Sequence, residues 1–269
     1  MKRESVLGIY REHVFSPGKI QDDAAILDAT LEELSSAGLR VRAIRAEDLD
    51  DPIPKPDWVL TMAQSSAVLA ILDDWAGLGT TVVNSVASIR NCYRKPLSRI
   101  LHAAGVPVPS SRVISLSAAE TEITAPPSTP IWLKRGDVHA IEAGDVTSVS
   151  SKQELLLALS HFQRQNVGEI LIQDHVEGPV VKFYGVGRGD YFRAFQASTG
   201  QDITMEVRTK LLEVAQRAAE AVGLDVYGGD AVMTGGRVAI VDVNDWPSFS
   251  RCRHQAARSI AAYLLGKAN

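Results

Sequence analysis

Three residues with side-chain oxygens fall close together near the end of the chain: Asp230 in GGDAV, then Asp242 and Asn244 in VDVNDWPSFSR. Side chains two apart on a strand share a face, so Asp242 and Asn244 look the same way. Gly235–Gly236, between two apolar runs, reads as a hairpin turn that sets Asp230 across the ladder from them. Two carboxylates converging on a largely apolar sheet repel one another and lose hydration. Such a set suits a hard divalent cation, which takes oxygen ligands and shares its shell with substrate phosphates. Asn, Asp, Pro and Ser also build ordinary turns after strands. The small and apolar residues alternating with the acids in GGDAV and VAIVDVN favour the buried, ligating arrangement.

Two lysines stand in runs that otherwise read as buried strand, Lys134 in PIWLKRGD and Lys182 in GPVVKFYGVG. Lysine is seldom fully buried unless paired, and a polyphosphate is one natural partner. Either alone could guard a sheet edge or snorkel to water. Together with the acids they point to phosphate chemistry. After Lys134, RGDVHAIEAGDV carries Gly136, His139 and Gly144, the composition of a flap whose backbone N–H groups approach an anion. Arg251 and Arg253 follow the acid motif directly, and Arg188 sits in the GVGRGD turn; each offers a fork suited to a carboxylate or phosphate.

Other chemistries lack their signatures. There is no G-x-x-x-x-G-K-[ST], G-x-S-x-G or H-E-x-x-H. GVGRG at 185–189 meets Asp190 and no following helix, so it reads as a reverse turn rather than a dinucleotide fingerprint. His102, His161 and His254 are scattered. Cys92 and Cys252 have neither C-x-x-C spacing nor histidine partners, which argues against a zinc knuckle or disulfide framework and for a reducing compartment.

The elements that must hold these residues follow from periodicity. The first third alternates strand and helix signals: VLGIY, DDAAILDATLEELSSAG, LRVRAIR, DWVLTM, SAVLAILDDWAGLG and TTVVN. That order implies a small parallel α/β lobe. VASIRNCYRKPLSRILHAAG reads as a helix that Pro96 kinks or restarts at Arg94–Lys95. Strands RVISL and PIWLK, a helix at about 151–166, then EILIQDHV, VVKFYGVG, YFRAF, a helix at about 204–222 and the acid hairpin describe antiparallel sheets with helices, an α+β arrangement.

The chain has 269 residues and a net charge of −4. That length buries roughly 70–75% of the unfolded surface without disulfides. No run of basic residues marks a nucleic-acid footprint. MKRESVLGIYREH lacks the pattern of a signal peptide, and SSAVLAILDDWAGLG is interrupted by Asp73 and Asp74. The expectation is a cytoplasmic protein with no nucleic-acid or membrane partner, homodimerisation being open.

The ordered set of features resembles the ATP-grasp superfamily across nearly the whole chain: Asn84-x₁₀-Lys95, GVPVP at 105–109, Lys134 and its loop, ILIQDHVEG, VKFYGVG, GGD and DVND. D-x-N-x-W-P after G-x-D is especially similar to the C-terminal motif of the glutamate-ligase and inositol-trisphosphate-kinase branches. The resemblance implies an N-terminal α/β lobe (1–86), a central small lobe (87–168) and a C-terminal lobe with the metal site (169–269), the last two clasping ATP. It implies Lys95 and Lys134 on the ATP phosphates, His139 in a flap at 135–144, and a hinge of Gln173, Asp174, His175 and Val176 reading adenine. Lys182 would touch the transferred phosphate, and Asp230, Asp242 and Asn244 would hold Mg²⁺ or Mn²⁺. Asp242 stands where most members have Glu, and Lys182 where most ligases have Arg.

What this implies is ATP-dependent ligation of a carboxylate to an amine or related nucleophile through an acyl phosphate. Lys182, His139 and Asp242 keep a small-molecule kinase as the alternative, and nucleotide binding without turnover is a third reading. The acceptor would be a small anion, a carboxylate or phosphate. YREHVFSPGK (10–19) and TMAQSS (61–66), at the ends of strands, are candidate contributors to its site.

Overall fold

The computed structural model describes residues 4–16, 18–49, 53–123, 129–138 and 141–268. The N-terminal third forms a parallel sheet of order β2-β1-β3-β4 from β1 (Ser5–Tyr10), β2 (Arg40–Arg45), β3 (Trp58–Thr61) and β4 (Thr81–Val83). Helices α1 (Ile20–Ser36) and α2 (Ser66–Gly77) supply crossovers. The middle four residues of β1 are all buried, as in a parallel strand covered on both faces. Ser65 caps α2 by accepting from the Val68 N–H.

The expected break at Pro96 is a clean restart. Helix α3 (Val86–Asn91) ends, and α4 (Arg94–Ala103) begins two residues before the proline. Pro96 therefore sits in a first turn, where its missing N–H costs no helical hydrogen bond.

A second sheet, order β5-β8-β6-β7 and antiparallel throughout, comprises β5 (Ser111–Ser115), β6 (Ile131–Arg135), β7 (Val146–Val149) and β8 (Glu169–Asp174), with α5 (Ala119–Glu122) and α6 (Lys152–Arg164). A third, order β10-β9-β11-β12 and also antiparallel, comprises β9 (Val180–Val186), β10 (Tyr191–Gln196), β11 (Val226–Thr234) and β12 (Arg237–Asp245), with α7 (Met205–Val222) and α8 (Arg253–Ala268). Gly235 and Gly236 make the β11–β12 turn with φ +54° and +75°, the left-handed conformation that a two-residue hairpin loop requires.

The lobe boundaries differ from the expectation at two places. Strand β8 lies beyond the expected 168/169 boundary yet pairs with β5 and β6 of the second sheet; the crossover to the third sheet is 175–179. Helices α3 and α4 were placed in the central lobe, yet Cys92, Leu97 and Leu101 share a core with Leu211 and Ala215 of α7 and Val243 of β12. Helix α8 in turn closes on α1, with Leu27, Leu34, Ile260 and Leu264 in one apolar cluster.

Candidate functional site

Lys182, Asp230 and Asp242 form a row across the third sheet. Lys182 on β9 is the register partner of Asp230 on β11, and Asp230 is the partner of Asp242 on β12. The Lys182 ammonium donates to Asp230 Oδ1 at 2.8 Å. Asn244 lies two residues beyond Asp242, opposite Gly228.

Immediately after Asp230 the register slips: Ala231 pairs with Ile240, so Val241 has no partner on β11. Such a bulge bends a strand and re-aims its side chains. The glycines before Asp230 are required by close approach. A Cβ on Gly229 would lie 2.2 Å from the Asp242 carbonyl oxygen, and one on Gly228 would lie 2.7 Å from Pro247 Cγ.

Above this row opens a cavity of about 310 Å³. Lys182, Asp230, Asp242 and Asn244 line one side, and Arg11, Lys19 and Gln64 line the other from the N-terminal lobe. A narrow second cleft separates the second and third sheets, with Ser111, Lys134, Leu171 and Gln173 facing Ile240 and Val241. Arg94 and Asp242 line both.

The segment following Asp242 is built as a clamp, which explains its Trp-Pro sequence. Fully buried Trp246 donates its indole N–H to the Val83 carbonyl at 2.9 Å. Arg11 donates to the carbonyls of Asp245 (3.3 Å) and Trp246 (3.0 Å) and pairs with Asp23. Gln64 donates its amide to the buried Asp245 carboxylate at 2.9 and 3.0 Å. At the same open end of the hairpin, where Tyr227 pairs with Asp245, buried Asn84 accepts from the Asp225 and Val226 N–H groups and donates to the Val226 carbonyl. The N-terminal lobe thus grips β11 at its start and β12 at its end.

Lys134, only 5% exposed, donates to the Val241 carbonyl at 3.0 Å. Burial pushes its ammonium down to about 8; Asp242 partly offsets this and nearby Arg94 adds to it. Burial would also lower Lys182, but the Asp230 carboxylate overrides it and holds the pKa above the ordinary lysine value.

Of the residues singled out in the sequence, the fold brings Lys182, Asp230, Asp242 and Asn244 to one cavity and puts Lys134 in the adjoining cleft, which Asp242 also lines. Gln173 is buried and lines the narrow cleft. Asp174 is exposed, while His175 and Val176 begin the crossover; His175 accepts from the Trp132 indole at 3.1 Å. His139 lies outside the described residues. The described part of the flap is anchored rather than free: Asp145, fully buried, accepts from the Ile141 N–H, Arg135 and His161.

Three residues are placed elsewhere. Lys95 faces Glu169 at 2.7 Å on a half-exposed surface and lines neither cleft. Arg253 pairs with Asp22 of α1 at 2.6 Å, and exposed Arg251 lies against Gly200; neither lines the cavity. Trp246 and Phe249 take left-handed φ of 40° and 47°, which turns the chain away before the arginines. Sequence reasoning missed Arg94, Asp245 and the individual roles of Arg11 and Gln64, although the last two fall in the segments singled out at the strand ends.

No family model matches the chain. Over 212 residues it is 24% identical to a protein of Haemophilus influenzae named "Probable alpha-L-glutamate ligase", spanning 73% of this chain and 69% of that one. The RimK domain protein ATP-grasp of Sphaerobacter thermophilus superposes with a TM-score of 0.75 at 22% identity, over 97% of this chain and all (100%) of that one. The VanG D-Ala:D-Ser ligase of Enterococcus faecalis gives 0.77 at 17% identity, over 98% and 99%. D-alanine–D-alanine ligase of Bacillus anthracis, solved with ATP, gives 0.75 at 12%, over 98% of each chain. The chain has the ATP-grasp fold.

Proposed function

We propose that this protein is an ATP- and divalent-cation-dependent ligase that joins a small carboxylate to an amine or related nucleophile. The observation that carries the reading is the Lys182–Asp230–Asp242 row, open to one cavity and set beside buried Lys134 in the cleft between two antiparallel sheets. The similarity to a glutamate ligase and to amino-acid ligases supports ligation.

ATP would lie in the cleft between the second and third sheets, with Gln173 and the following crossover at the base. Lys134 would meet its phosphates, and Lys182 would meet the phosphoryl group being transferred. Asp230, Asp242 and Asn244 fit Mg²⁺ or Mn²⁺ by their chemistry: two carboxylates and an amide, all oxygen donors, line one cavity. A bound ion would neutralise phosphate charge there. Arg11, Lys19 and Gln64 would form the acceptor wall.

Transfer of the γ-phosphoryl to the carboxylate activates the carbonyl for attack, and orthophosphate leaves when the nucleophile adds. The residues contribute position and fixed positive charge. Phosphorus NMR with Mg-ATP and a pooled set of acids and amines tests this. ADP and orthophosphate should appear only when both an acid and an amine are present. A new phosphate-ester resonance without orthophosphate would establish a kinase instead, and no consumption of ATP with any acceptor would overturn both.

A further inference from the structure

Arg94 occupies a place that the sequence pattern assigned to its neighbour. It opens α4, is only 5% exposed, and lines both the cleft between the sheets and the larger cavity. Its Nη1 meets Asp242 Oδ1 at a long 3.4 Å, and its buried Nε has no hydrogen-bond partner among the described residues. A guanidinium carries five N–H donors, and a buried donor without an acceptor is costly in a resting protein. Lys95, next in the chain, is held outward by Glu169.

We propose that Arg94, rather than Lys95, is the cation that holds the phosphoryl group while it passes from nucleotide to acceptor. This rests on the ATP-dependent reading above. A group moving between the two clefts passes the wall they share, and Arg94 is the cation in that wall. Its planar fork can bind two phosphoryl oxygens at once, where an ammonium offers a single point of charge. In the transfer the β–γ bridging P–O bond breaks with its electron pair going to ADP, and a P–O bond forms to the acceptor oxygen. Arg94 neither gains nor loses a proton. It neutralises the charge spread over the oxygens in flight.

Calorimetric titration of the full chain with Mg-ATP and Mg-ADP separates the possibilities. Wild type should prefer ATP. R94Q should lose about tenfold or more of that preference, as expected for one charged hydrogen-bonding group, while ADP affinity changes little. R94K should recover part of the preference, and K95Q should keep it. Melting curves of all three establish that they are folded. Equal weakening of both nucleotides in R94Q, or loss of preference in K95Q alone, would overturn the assignment while leaving the ATP-dependent reading intact. So would a wild type that binds both nucleotides without preference. A wild type that binds neither would sink that reading, and the Arg94 assignment with it.

Discussion

Lys134 of the second sheet donates its ammonium to the carbonyl of Val241 in the third, 3.0 Å away, at the position of β12 that has no partner on β11. One bulge therefore does two things. It frees an acceptor that docks the two halves of the cleft, and it fixes that docked ammonium in the cleft proposed to take the nucleotide. The arrangement is strained electrostatically, because burial opposes the charge that the site needs.

A pH dependence of known sign follows. The Lys134 pKa is lowered to about 8 in the folded chain from an ordinary 10.5. Between these values the unfolded chain binds more protons than the folded one, so stability should rise with pH across that window and carry the full desolvation penalty below it. Nucleotide affinity should move oppositely and fall as pH climbs above about 8, because the phosphates need the ammonium. Lys134→Met should flatten the rise in melting temperature between pH 8 and 10 and bind Mg-ATP poorly at any pH. A melting profile as steep as that of wild type would show that another group titrates there.

The carboxylates can be separated from the fold. Asp242→Asn and Asp230→Asn keep side-chain volume and the β11–β12 ladder, so both variants should melt within a few degrees of wild type. Turnover should nonetheless fall by roughly 10²–10³, the scale of losing one electrostatic contact to a transition state. Mn²⁺ binding followed by electron paramagnetic resonance should weaken in parallel. Unchanged turnover in Asp242→Asn would remove that residue from the proposed metal site.

Much of this site was legible because its residues are anomalies in their local pattern. Acids at Asp230 and Asp242 and lysines at Lys134 and Lys182 interrupt apolar runs, and a two-residue period with a Gly-Gly turn puts the acids on one face. The inward turn of Arg94 was not legible for an equally physical reason. Arg94 and Lys95 are adjacent at a helix start, about 100° apart around the axis, and spacing does not say which one turns inward. Arg251 and Arg253 are close to Asn244 in sequence but not in the cavity, because the two left-handed residues between them and Asn244 redirect the chain. The sheet that takes β8 was not legible because strand partners are a long-range property; nothing within ILIQD says that β5 and β6 flank it.

The clamp after Asp242 makes a separate prediction about stability. Trp246→Phe keeps an aromatic ring in a fully buried place but leaves the Val83 carbonyl without its indole donor. The cost should be about 1–3 kcal/mol, the range for an unsatisfied buried polar group. Urea unfolding should show a lowered midpoint. A midpoint unchanged within error would mean that Arg11 and Gln64 hold the end of β12 without the tryptophan.

The proposed acceptor wall can be tested apart from the proposed nucleotide cleft through Lys19. It lines the cavity from the start of α1, is exposed, and has no ion-pair partner among the described residues, whereas Arg11 on the same wall is committed to Asp23 and three carbonyls. A solvated ammonium lining a cavity is suited to drawing in and holding an anionic acceptor, and this one comes from the N-terminal lobe rather than from the sheet that carries Lys182, Asp230 and Asp242. Lys19→Gln should therefore raise KM for the acceptor about three- to tenfold, as expected for one partly screened charge, and leave kcat and ATP affinity nearly unchanged, the signature of lost uniform binding. A fall in kcat at unchanged KM would place Lys19 with the transferred group instead, and the anionic acceptor would then have to be recognised by another side of the cavity.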